Sequence, residues 1–83
     1  MSISSQNRKA SLPYGIAKDL IEQRIFELNH QVESILKKWN QTSLEVFTSA
    51  TRSGKIPEAE TDALMVENLS EKVRELEKYL EEL

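Results

Sequence analysis

The chain contains no cysteine, which excludes disulfides, thiolate metal sites and thiol nucleophiles together. Proline and glycine number only two each, so little of the chain is available for loops or the tight turns of a β-rich fold. No apolar run approaches the roughly 18 residues of a membrane span. The first residues, Met1-Ser-Ile-Ser-Ser-Gln-Asn-Arg-Lys-Ala10, lack the apolar core of a secretion signal. Residues 1–12 read as a flexible polar and basic arm, and the expectation is a cytoplasmic protein. Histidine occurs once, at His30, and no glycine-rich phosphate loop is present.

What remains is rich in Leu, Glu, Lys and Ile, the composition of an all-α protein. Apolar residues recur at helical spacing from Pro13 to about Ser53 and again from Pro57 to Leu83, with Gly54 between. The first seam runs Ile21, Ile25, Leu28, Val32, Ile35, Trp39, Thr42, Val46, with alternating steps of four and three. Its phase continues from Trp39 to Val46, so one helix over about 13–53 is expected. The low helix propensity of Asn40-Gln-Thr-Ser43 marks the alternative, a break near Ser43. Arg52-Ser-Gly54-Lys55 is a stop signal, and Ile56-Pro57-Glu58 restarts the chain with proline in a first turn. The second seam is Val66, Leu69, Val73, Leu76, Leu80 and Leu83. The expected fold for residues 13–83 is an antiparallel helical hairpin with its turn at 54–56, a long first helix and a shorter second.

The two expected helices differ in length, with a consequence for partners. Counting outward from Lys55, the second helix ends opposite about Leu28, leaving residues 14–27 uncovered. Ile16, Leu20, Ile21, Ile25 and Phe26 then have no partner within the chain. Each such side chain costs about 1.5–3 kcal/mol relative to burial. Single cores of this size supply only about 3–5 kcal/mol, and oligomerisation is the usual remedy without disulfides or metals. The hairpin is therefore expected to self-associate into a four-helix bundle or coiled coil, as a homodimer. Expected interface residues are Ile16, Leu20, Ile21, Ile25, Phe26 and Leu28 on the first helix, with Leu76, Leu80 and Leu83 on the second. Trp39 and Phe47 join them, Trp39 as an anchor merging with the core and Phe47 as an off-seam residue for a second chain to cover.

The formal net charge of −3 is unevenly divided. Residues 1–57 carry eight Lys/Arg against five acids, and residues 58–83 three against nine. Opposite signs favour packing the two segments side by side, by about 0–1 kcal/mol per exposed pair. Arg8, Lys9 and Lys18 precede every acid, the first being Asp19, and are candidate contacts for an anionic partner, nucleic acid included. Three charges without interleaved aromatics give weak, salt-sensitive binding, so a nucleic-acid-associated, antitoxin-like regulator is the alternative reading.

Glu27-Leu-Asn-His30 has the Glu-x-x-His spacing of carboxylate-bridged metal bundles. Both residues fall off the seam, and Asp62 is the one acid at a seam position, far from His30. A metal-binding bundle is the weakest alternative, and no metal or other cofactor is expected. His30 has no serine or carboxylate placed to orient it for catalysis. The sequence thus points to a small non-enzymatic interaction or regulatory protein, with a hetero-partner unidentified.

Overall fold

The computed structural model describes residues 13–83, so the expected arm at 1–12, with Arg8 and Lys9, lies outside the described residues. The described residues are all-helical, with three α-helices among them: α1 over Tyr14–Lys38, α2 over Leu44–Arg52 and α3 over Glu60–Glu82, the last preceded by a 3-10 turn at Pro57–Ala59. Among the described residues there is no strand, and no helix is long and apolar enough to cross a membrane.

The helix expected to run unbroken to Ser53 is two helices. Asn40 takes a left-handed conformation at φ 55°, and the last turn of α1 closes around it. The Gln41 N–H donates to the Leu36 carbonyl at 2.8 Å and the Asn40 N–H to Lys37 at 3.0 Å. This is the Schellman arrangement, with asparagine where glycine more often stands. Lys37 and Lys38 in the last turn oppose the negative end of the helix dipole. Ser43 then caps α2, its Oγ accepting from the Val46 N–H at 3.2 Å. Helix α2 ends by the same device. Gly54, at φ 79°, supplies the left-handed residue, and Lys55 N–H donates to Ala50 at 3.0 Å.

The break changes which residues face inward. In a straight helix the seam would carry Val46 into the core. Instead Val46 is exposed and Phe47, one residue or about 100° further round, is fully buried. Phe47 stacks on Trp39 with ring centroids 6.5 Å apart and lies among Val32, Ala59, Ala63 and Val66. It was expected to meet a second chain; its own chain covers it. The threonines that lower helix propensity here are buried with their hydroxyls paired. Thr48 Oγ1 donates to the Leu44 carbonyl at 3.0 Å and Thr51 Oγ1 to Thr48 at 2.9 Å, so the preceding turns satisfy both hydroxyls.

Helix α3 packs against both of the others. Its N-terminal end meets the C-terminal end of α1, where Asp62 accepts from Trp39 and Lys38. Further along, Leu28 and Arg24 of α1 share a groove with Leu69 and Lys72 of α3, so α1 and α3 pass in opposite directions. On another side of α3, Arg52 of α2 pairs with Glu67 at 2.8 Å. The expected two-helix register therefore does not hold. From Asp62 to Glu82 is twenty residues, about 30 Å of helix, and the same length counted back from Trp39 reaches Asp19. Helix α3 runs beside nearly all of α1, and the uncovered stretch shrinks from 14–27 to about 14–18.

Candidate functional site

Burial is concentrated at one end of the molecule. The cluster around Phe47 and Val66 occupies the end where three helices meet. Beyond α2 only α1 and α3 remain, and there Leu28 and Val73 are the buried apolar residues among those described. Two helices cover one stripe of each other and leave the flanks wet. Ile21 and Ile25 of α1 and Leu76 and Leu80 of α3 are accordingly only half-buried. Ile16 and Leu20 are exposed, as are Tyr79, at 63%, and Leu83.

These exposed residues fall on one face. Arg24, Leu28 and Gln31 of α1 line an open groove with Met65, Leu69 and Lys72 of α3. No residue of α2 contributes to it. Glu67 and Arg74, which line a groove with Thr48 and Arg52 of α2, stand two residues beyond Met65 and Lys72, about 200° round α3. The α1–α3 groove is therefore on the side turned away from α2. Steps of four carry its α1 wall back from Arg24 to Leu20 and Ile16, and a step of seven carries its α3 wall from Lys72 to Tyr79, with Leu83 beyond.

Helix α3 thus carries two seams side by side. The inner one, through Val66, Val73 and Leu80, faces its own chain. The outer one runs Met65, Leu69, Lys72, Leu76, Tyr79 and Leu83 at the alternating four and three of a helix pair. Helices that touch two neighbours in a bundle have such a doubled stripe. The outer seam went unread in the sequence because Lys72 interrupts it and because Leu69, Leu76 and Leu83 belong equally to the inner pattern.

Phe26 stands elsewhere. It is 66% exposed, two residues beyond Arg24 and so on the opposite side of α1 from the groove. Its ring stacks with the His30 imidazole, centroids 6.0 Å apart. Glu27 turns to Arg24, which donates to its carboxylate at 3.2 Å. The Glu27 and His30 side chains are thus engaged separately, and among the described residues no group of three or more His, Asp and Glu is gathered to hold a metal. Lys18 is held by Glu22 at 3.3 Å, and that carboxylate keeps the ammonium protonated to a higher pH than usual.

Trp39 is half-buried and its indole N–H donates to Asp62 at 2.9 Å, which explains why an acid occupies a seam position. The Trp39 hydrogen bond first, and Lys38 second, hold the Asp62 carboxyl below the ordinary carboxylate range. Among the described residues no buried side-chain polar atom lacks a partner.

A family model described as the uncharacterized protein MJ0235 family matches residues 9–83, and the chain belongs to that family. No curated protein gives a significant match to the chain, and neither does any solved structure.

Proposed function

We propose that this chain is a small non-enzymatic interaction module, regulatory in role, whose working form is a homodimer built as a helical bundle. The outer seam of α3 carries the reading. Met65, Tyr79 and Leu83 are exposed along it, and Ile16 and Leu20 of α1 extend the same face. Leaving several large side chains in water forgoes about 1.5–3 kcal/mol apiece, a substantial fraction of what a domain this size can hold. Several exposed apolar side chains gathered on one face of so small a molecule mark an association surface.

The interior supports a binding role over a catalytic one. The core is aliphatic and aromatic, and its buried threonines are spent on helix backbone. The apolar surface, in contrast, is accessible and lies on rigid helices.

Sedimentation equilibrium of the full chain at micromolar concentration tests this. Two chains per particle are expected, with the mass falling to one chain when Leu20→Asp and Tyr79→Asp are combined, the helical circular dichroism being retained. A stably folded wild-type monomer refutes the reading.

A further inference from the structure

We infer that the partner on this face is a second copy of the chain, laid so that its α1 covers α3 of the first and its α3 covers α1, with the twofold axis parallel to the helices. This rests on the proposed self-association and specifies its geometry.

Two helix pairs stacked face to face have two symmetric arrangements. A twofold axis across the helices sets α3 on α3 and α1 on α1. An axis along the helices sets α1 on α3 both ways. Charge separates them. Helix α3 carries three Lys/Arg against eight acids, whereas α1 carries four against four. Facing two α3 helices brings like charge together, which is unfavourable between closely packed elements. The crosswise stack avoids this.

Register adds an independent argument. A twofold parallel to the helices leaves both copies at the same height, so the offset between α1 and α3 within one chain also holds between chains. That offset is fixed by Trp39 and Lys38 against Asp62, and Leu28 and Lys72 lining one groove agree with it. Carried across to the second copy, it sets Ile16 against Leu83 and Leu20 against Tyr79, apolar on apolar. One turn further it sets Arg24 against Glu75, and three residues later Glu27 against Lys72. In the single chain Arg24 and Glu27 turn to each other; between copies each meets an opposite charge on α3. The polar middle of the face thereby becomes a pair of matched charges, and α2 stays on the outside of both copies.

The absence of cysteine makes the test clean, since any disulfide formed is the designed one. Full chains carrying Leu20→Cys alone and Tyr79→Cys alone are mixed, equilibrated and oxidised. The crosswise dimer yields the mixed disulfide in excess over both homodisulfides. In parallel, Arg24→Glu is expected to weaken dimerisation about three- to tenfold, as two copies of an exposed pair imply, and adding Glu75→Arg is expected to restore it. A dimer in which Tyr79→Cys copies link to one another, or in which no pairing links, overturns the arrangement while self-association stands. A monomeric mass overturns both.

Discussion

The Trp39 indole N–H and the Asp62 carboxylate meet at 2.9 Å, joining the last turn of α1 to the first turn of α3. The same carboxylate oxygen accepts from Lys38 at 2.9 Å. This contact sets the register of the two long helices, and from the register follow both the disappearance of most of the expected overhang and the composition of the exposed face.

The contact has a pH signature. Asp62 titrates below its ordinary value of 3.8 in the folded chain, chiefly through Trp39 and then Lys38. A lowered folded pKa contributes stability that is fully present above the unfolded value and is lost as pH falls through the folded one. Thermal melts of the native chain and of Asp62→Asn are therefore expected to differ at neutral pH, with the native chain higher, and to converge as the pH is lowered through the acid range. A difference that does not depend on pH contradicts the assignment.

The two phenylalanines are expected to behave oppositely. Phe47 is completely buried, and Phe47→Ala is expected to cost about 3–5 kcal/mol in urea unfolding. Phe26 is exposed and off the groove, and Phe26→Ala is expected to change stability by no more than about 0.5 kcal/mol at matched protein concentration. Equal effects at the two positions contradict the α2 orientation described.

Asn40 offers a test by sign. Asparagine adopts the left-handed conformation more readily than alanine, so Asn40→Ala is expected to destabilise by about 1 kcal/mol, while Asn40→Gly is expected to be neutral or stabilising. In an unbroken helix the order reverses, since alanine is the better helix former. Chemical denaturation of the two variants decides between the broken and continuous forms.

The cap beginning α2 is expected to be worth about 1 kcal/mol, the usual loss on replacing such a serine by alanine. Ser43→Ala removes the acceptor for the Val46 N–H and is expected to lower the melting temperature without altering the net charge.

Much of the architecture was legible in the apolar spacing. The stop at Gly54, the restart at Pro57 and the inner seam of α3 all follow from residue type and period. The break at Asn40 was legible only as the alternative near Ser43, because the seam stays in phase across it from Trp39 to Val46. The signal lay in one residue, an asparagine able to adopt the left-handed conformation, followed by a capping serine. Missing it hid the rotation that buries Phe47 and shifted the register by more than two turns. Phe26 was among the expected contacts although it lies off the seam, and lying off the seam also places it away from the groove. Leu20 and Leu83 were in the expected interface, whereas Met65 and Tyr79 were absent from it. Their seam is visible only once the side occupied by α2 is known.

The central claim is that the exposed face is closed by a second copy of the chain, and thermal unfolding as a function of concentration tests it most directly. Association that favours the folded form makes the melting temperature depend on chain concentration. Over a roughly hundredfold range of concentration the native chain is expected to melt at steadily higher temperature, and the combined Leu20→Asp and Tyr79→Asp chain to show no such trend. A native melting temperature that stays constant over the same range contradicts the account.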